Sequence, residues 1–564
     1  MQKSRKSSII IVFVLIFFNF IIYFNAINSE FVGDDIELLK DNHYIRDVNN
    51  IKTLLTQEDS FAAASTGYYR PIISLSYLLD YQIYGGEPYG YRLTNIALST
   101  LCSIMLFFLI VLITGDRLLA LVTSIIFSAQ AVHYEAVSFI AGRNNVFCTL
   151  FILLSIYFYV KNVKQHRLSS FFYSMLFLFL GAASKEFAFL VPLIFILYDY
   201  SYDTDFSVTK NIKKYAAGFM TVALFLAIKS LVISSSGSAM TLEMETLYQR
   251  VITTLPIMVS YLRMQVVPYG LTLFYDLPLK VSLFDPTVLF SMMFLIAISY
   301  AVFLYKNKMR ALFFFFFTYV ILLIPIANVI SIPAPTLMAN RWIYPASFAF
   351  AFVLAQLLIL LFKKRRTALV VVSILITAEL SFFMIKANRV LSNEMSLYTD
   401  ILEKAPGSFI AVRKLGNVYA RQGDYDEAAK YYLQAVELKP DFFMNYHNLG
   451  YVYASKKDFN EALKYYKKAY KLNPKYLYTL LNLASTYRTL GDLDESNRYY
   501  DESIAFNAQF YPAYLDLAYN YYKQGRYEEA IAKLSVVKDS SPNRELKMRA
   551  DALLKKISDT PSPK

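Results

Sequence analysis

Two adjacent carboxylates stand in Phe31-Val-Gly-Asp34-Asp35, just after an apolar run that ends near residue 28. An acidic pair immediately outside a membrane-length helix has the means to deprotonate an acceptor hydroxyl, one carboxylate acting as base and the other orienting the acceptor or a cation. The same residues also fit a helix start, with Gly33 as the turn and Asp34 or Asp35 as the cap. Further ionisable groups gather where apolar runs end: Tyr68-Tyr69-Arg70-Pro71, His133-Tyr134-Glu135, Arg143, Ser184-Lys185-Glu186, Asp276 and Asn340-Arg341. Charge at membrane depth is costly and usually functional. Arg70, Arg143, Lys185 and Arg341 carry enough positive charge to neutralise a phosphate headgroup, and the arginine fork suits phosphate oxygens. Carboxylate base and phosphate clamp together describe group transfer from a lipid phosphate. Plainer readings stand beside these: Arg341 snorkelling from a span end, Lys185 and Glu186 pairing with each other, and His133 packing as a satisfied core residue.

The elements that must position these groups are membrane helices. Of 564 residues 56% are hydrophobic and 17% aromatic, and apolar runs of about 18 to 22 residues, the length that spans a bilayer, fill the stretch from Ile9 to Ile385 and then stop. Eleven spans are expected, at 9–28, 93–114, 118–133, 145–160, 169–183, 187–199, 215–234, 286–305, 311–330, 342–362 and 367–385, the third and sixth being short. The first, behind the basic start, lacks a small-residue cleavage site and reads as a retained span. The clusters Lys3/Arg5/Lys6, Lys161/Lys164/Arg167, Lys306/Lys308/Arg310 and Lys363 to Arg366 then share one side, which the positive-inside rule makes the cytoplasm. The acidic pair, the other charged span ends and the C-terminal region fall on the opposite face.

From Phe409 the chain repeats every 34 residues. Leu415/Gly416/Tyr419, Leu449/Gly450/Tyr453, Leu483/Ala484/Tyr487 and Leu517/Ala518/Tyr521 recur in step, and Pro440, Pro474, Ala508 and Pro542 close the units. This is the tetratricopeptide (TPR) signature, with a helix after Asn543 capping the stack. The fold class is therefore all-α, a polytopic membrane bundle at 1–388 followed by a linker at 389–405, a TPR solenoid at 406–557 and a disordered tail at 558–564. Asn448 and Asn482 hold equivalent first-helix positions, where amides either grip the backbone of a bound protein or serve as polar surface.

Taken in order, Gly33-Asp34-Asp35, Tyr69-Arg70-Pro71, His133-x-Glu135-Ala136-Val137 with Gly142-Arg143, Lys185-Glu186, Leu271-x-x-x-x-Asp276 and Arg341-x-x-Tyr344-Pro345 resemble the spaced motifs of the transmembrane and TPR repeat-containing O-mannosyltransferases, within the GT-C class. The resemblance implies transfer of a sugar from a polyprenyl-phosphate donor, with Asp34 or Asp35 as base and Arg143, Lys185 and Arg341 stabilising the leaving phosphate. It also implies a protein acceptor or partner for the repeats. The sequence departs from the family pattern at Asn340, where an acidic residue is usual before the arginine.

Other classes fit less well. Net charge is +13, of which the region from Pro406 contributes 24 Lys or Arg against 19 Asp or Glu, too dilute for a nucleic-acid surface. Two cysteines, Cys102 and Cys148, and four histidines form no metal framework. No cofactor is required, and two aspartates are too few ligands to claim a divalent cation. Asp203-Thr-Asp205 has the form of a nucleotide-sugar metal motif, but its short cytoplasmic loop lacks the Gly-rich turn of a nucleotide fold. A TPR scaffold would need only one or two spans as an anchor, and a lipid-linked saccharide transporter would place charge near the bilayer midplane. The absence of Asn-x-Ser/Thr and the richness in Ile, Lys, Tyr and Phe point to a bacterial inner membrane.

Overall fold

A computed structural model describes residues 2–57, 69–233, 246–275, 277–327 and 336–559, with side chains from Ser8 onward. The described residues are helical and fall into two compact units, Met1–Ala405 and Pro406–Lys564.

In the first unit each of the eleven apolar runs is a helix. Seven are long and apolar enough to cross a membrane, and the pair Arg117–Ala129 with Ala131–Val137, bent by 53°, makes an eighth when counted as one span. The other three, Leu168–Ala182, Val191–Tyr202 and Arg310–Leu323, have 15, 12 and 14 residues. At about 1.5 Å per residue these fall short of a hydrocarbon core of about 30 Å. Their short length follows from local breaks, such as the extended backbone at Lys185 and Pro192 near the start of the next helix. Within the region expected as a long loop between 235 and 280 lies one further helix, Leu247–Val266.

Polar side chains tie the bundle together where no water competes. Ser103 and Ser128 Oγ atoms lie 2.7 Å apart, and Asn19 Nδ2 donates to Ser128 Oγ at 3.0 Å. Asn388 accepts from Ser138 and donates to the Ile22 carbonyl and Asn25, joining the end of helix Arg366–Val390 to the first helix. Such bonds are each worth about 0.6–2 kcal/mol between membrane helices. The segment 389–405, read from sequence as a linker, is the end of that helix followed by Glu394–Lys404, whose Leu397, Tyr398 and Ile401 are buried within the first unit.

The second unit stacks four antiparallel helix pairs, Phe409–Gln422 with Tyr425–Leu438, Phe443–Ser455 with Phe459–Leu472, Leu477–Thr489 with Leu493–Phe506, and Tyr511–Lys523 with Tyr527–Ser540, and ends with Arg544–Ser558. Close approach explains the repeating small residue. A Cβ at Gly416 would sit 2.7 Å from the Tyr432 ring, and one at Gly450 would sit 2.5 Å from that of Tyr466. The last five residues of the expected tail lie outside the described residues.

Candidate active site at the helix ends

The two aspartates are not equivalent. Gly33 adopts φ +54°, a left-handed conformation that favours glycine, and the turn it makes leaves Asp34 exposed and Asp35 wholly buried. The Ala141 N–H donates to Asp35 Oδ1 at 2.7 Å, and the Val32 N–H reaches Oδ2 at 3.5 Å. Burial pushes the Asp35 carboxyl up to about 7, against the pull of Arg92 and these two N–H groups. Asp35 therefore anchors the loop, and Asp34 is the carboxylate presented outward, within electrostatic reach of both Asp35 and Glu135.

Glu135 sits on the bent segment Ala131–Val137. Backbone packing there is so close that a Cβ on Gly142 would lie 2.3 Å from the Glu135 carbonyl oxygen, which accounts for the glycine before Arg143. The Glu135 carboxylate is fully buried and accepts from Arg341 twice, from Nη1 at 2.8 Å and from the backbone N–H at 3.2 Å. Arg341 keeps 24% of its side chain exposed. The Phe139 ring lies 5.9 Å from the Arg341 guanidinium and 3.6 Å from where a Gly33 Cβ would stand, so it touches both the acidic loop and the arginine.

A second cluster adjoins this one. Arg70 pairs with Glu186 at 3.3 Å and Lys229 with the same carboxylate at 3.7 Å. Lys185 is buried and donates to Asn145 Oδ1 at 2.6 Å. Burial, then Arg70 and Arg341, push its ammonium down to about 7, with Glu186 opposing. Lys185 thus feels both Arg70 and Arg341.

Arg143 lies inside the bundle. Read from sequence as a phosphate ligand, it is fully buried and pairs with Asp80 at 2.5 Å. It also donates to Asn95, Ser76 and the Tyr91 carbonyl and lies over the Tyr77 ring at 4.6 Å. Three of its five N–H groups are thereby hydrogen-bonded inside the protein, and with the Asp80 ion pair the residue ties the helix Pro71–Tyr84 to its neighbours. His133 and Tyr344 are likewise interior: His133 Nε2 bonds Ser347 Oγ at 2.7 Å, the two rings lie 4.3 Å apart, and Tyr344 Oη meets Ser99 at 3.0 Å. Both side chains are wholly buried in the bundle. Tyr68 and Asp276 lie outside the described residues.

Three features escaped the sequence reading. Arg92, wholly buried, donates to the carbonyls of Ser29, Glu30 and Ser138 and so pins the chain that leads into the acidic pair; its only signal was a lone arginine near the start of an apolar run. Asn340, noted in the sequence only as a departure from the family pattern, ties the start of its helix to the 272–275 segment, accepting from Tyr275 Oη at 2.8 Å and donating to the Thr272 carbonyl at 2.7 Å. Helix Glu394–Lys404 braces the same region, for the Glu30 N–H donates to the Ser392 carbonyl and Lys404 Nζ to that of Leu271. Among the described residues no group of three or more His, Cys, Asp or Glu is placed to hold a metal ion. In the Asp203-Thr-Asp205 turn, Asp203 caps the backbone N–H of Asp205 at 2.9 Å.

In the TPR unit, Asn448 Nδ2 donates to Asn417 Oδ1 at 3.1 Å, and that oxygen also accepts from Tyr432 at 2.7 Å. Asn482, one repeat on, faces Tyr466 of the preceding repeat. Both amides are half-buried and spend part of their capacity on holding neighbouring helices.

Residues 71–232 match the family model of the dolichyl-phosphate-mannose-protein mannosyltransferases, and residues 408–475, 441–509 and 481–545 match tetratricopeptide repeat models. The chain is 31% identical over 161 residues to the protein O-mannosyl-transferase tmtc2 of Xenopus laevis, covering 27% of this chain and 19% of that protein. It is 28% identical over 158 residues to TMTC2 of Homo sapiens, covering 26% and 18%. With TMTC1 of Mus musculus it shares 29% over 193 residues, covering 31% and 20%. The aligned stretches span a fifth or less of these relatives' lengths. The chain is homologous to the TMTC protein O-mannosyl-transferases, the family its motifs resemble.

Proposed function

We propose that this membrane protein transfers a sugar from a polyprenyl-phosphate donor to a protein hydroxyl on the extracytoplasmic face of a bacterial inner membrane, with the TPR unit holding the acceptor or a partner. The observation that carries this reading is an exposed carboxylate, Asp34, in the same region as the partly exposed Arg341, which the buried Glu135 holds in place. Arg341 keeps part of its side chain open beyond its pairing with Glu135, and a phosphodiester headgroup is an anion that a guanidinium can hold.

In the reaction Asp34 takes the proton of the acceptor hydroxyl. The acceptor oxygen forms a bond to the anomeric carbon as the bond from that carbon to the phosphate oxygen breaks, and the electron pair leaves with the lipid phosphate. Configuration inverts. Arg341, held by Glu135, and Lys185, held by Asn145, stabilise the charge that develops on the phosphate. Asp35 and Arg92 keep the loop in register without touching substrate.

The test uses purified protein, radiolabelled polyprenyl-phosphate mannose or glucose, and a Ser/Thr-rich peptide. Loss of a general base costs about 10²–10⁴ in rate, so Asp34→Asn is expected to slow transfer by that amount while melting as the native chain does. Undiminished transfer by Asp34→Asn overturns the assignment of the base. A native protein that transfers neither sugar is a membrane-anchored scaffold instead.

A further inference from the structure

Helix Arg366–Val390 is long and apolar enough to cross a membrane, yet it carries an acidic residue within its apolar run. Glu379 stands thirteen residues after Arg366 and seven before Lys386, about 19.5 Å and 10.5 Å along the axis. Those distances place it inside a hydrocarbon core of about 30 Å. Its side chain is exposed on the surface of the bundle, and among the described residues it makes no hydrogen bond or ion pair. Ionisable groups at membrane depth are costly and almost always face a bundle interior, a water-filled cavity or a partner. One that faces outward marks a surface that a polar group covers.

The residues around Glu379 describe a helix-packing seam. Val371, Leu375, Ala378 and Phe382 are exposed beside it and follow one another at intervals of four, three and four. This is the spacing of a and d positions in paired helices, and it puts Glu379 at the flanking e position, where interhelical salt bridges form with g. Ala378 lets a second backbone come close. A second copy of this chain, packed in the same direction, would offer Glu379 only Ile374, the exposed apolar residue at g. The helix that packs beside this one, Gln2–Tyr23, carries its charges, Lys3, Arg5 and Lys6, at its start. Neither sets a cation opposite Glu379, so its charge calls for a helix from a different protein.

We propose that this face docks a membrane-spanning helix of a partner protein that carries Lys or Arg at the depth of Glu379, packed along the 371–382 seam with its cation paired to the Glu379 carboxylate.

The experiment uses the full chain in phosphatidylcholine vesicles with single-span Leu/Ala peptides, and it needs no sugar donor. One peptide carries a Lys beside its own seam at the depth of Glu379, one carries the Lys on the opposite side, and one carries none. Energy transfer from a donor dye on the peptide to an acceptor dye at the N-terminus of the chain reads association. Dicyclohexylcarbodiimide reads contact, because it joins a carboxyl to an adjacent amine as an amide and takes up the oxygen as a urea, and mass spectrometry locates the bond. The peptide with Lys beside the seam is expected to bind at least about tenfold more tightly than the other two, with its amide at Glu379. Glu379→Leu should bring it down to their level, and Glu379→Gln, which still hydrogen-bonds but carries no charge, should fall between. Glu379 is exposed and has no bonded partner among the described residues, so both variants are expected to fold, which a circular-dichroism melt checks. Equal binding of the three peptides, undiminished binding to Glu379→Leu, or a native chain that forms dimers which Glu379→Leu separates each overturns the proposal.

Discussion

Arg143 meets Asp80 at 2.5 Å with the two side chains 0% and 4% exposed, whereas Arg341 meets the equally buried Glu135 at 2.8 Å while keeping 24% of its own side chain open. Both arginines stand at helix starts on adjoining parts of the bundle. The first spends its donors on Asn95, Ser76, the Tyr91 carbonyl and its acid, and its charge is absorbed by the fold. The second is anchored from behind and has surface left for a ligand. A buried ion pair is weak evidence for net stabilisation, but removing one partner strands a charge. Two arginine–carboxylate pairs therefore differ in exposure, one closed inside the fold and the other leaving its arginine partly open.

Breaking the inner pair gives the largest expected effect. Asp80→Asn leaves the Arg143 charge uncompensated and should cost about 3–5 kcal/mol of stability, read as a lowered melting temperature in detergent together with loss of transfer. Asp80→Asn combined with Arg143→Met should recover part of the melting temperature, since no charge is then stranded. The outer pair should behave otherwise. Arg341→Lys keeps a cation beside Glu135 but loses the bidentate fork, and it should lower kcat/KM about ten- to a hundredfold, equivalent to about 1.4–2.7 kcal/mol of transition-state stabilisation, with little change in melting. If Arg341→Lys unfolds as readily as Asp80→Asn, the contrast between the pairs is lost.

The sequence made some of this legible and hid the rest for physical reasons. Apolar runs and the 34-residue repeat declare themselves because packing repeats them, Gly416 against Tyr432 and again Gly450 against Tyr466. That Arg70, Lys185 and Arg341 gather was visible as charge at span ends. Whether such a charge faces a cleft or a neighbour was not, because the partner of Arg143 sits on a different helix inside Leu-Leu-Asp80-Tyr, which looks like part of an amphipathic face. Nor was the reason for Asn340 in place of an acid. Its amide must donate to the Thr272 carbonyl while accepting from Tyr275, which an ionised carboxylate cannot do. Of the three short helices only Val191–Tyr202 was legible; Leu168–Ala182 and Arg310–Leu323 were hidden, since hydropathy counts apolar residues without marking where the backbone leaves the helix, as at Lys185.

Asp34 and Asp35 carry the comparison down to neighbouring residues and to the smallest expected effect per unit of the variable changed. Burial raises the Asp35 carboxyl from an ordinary 3.8 to about 7, so between those values the folded chain holds a proton that the unfolded chain releases. The stabilisation is complete below pH 4 and is lost as pH rises through 7. Native protein should therefore melt at a lower temperature at pH 8 than at pH 5. Other groups add their own slopes, so the informative quantity is the difference between variants. Asp35→Asn keeps an oxygen for the Ala141 N–H but cannot ionise, and it should flatten the dependence. Asp34→Asn, exposed, should leave it as it is. Thermal unfolding of the three proteins across pH 5 to 8 in one detergent decides this. A slope unchanged by Asp35→Asn, or abolished by Asp34→Asn, means that the buried and exposed members of the pair have been exchanged, and with them the identity of the base.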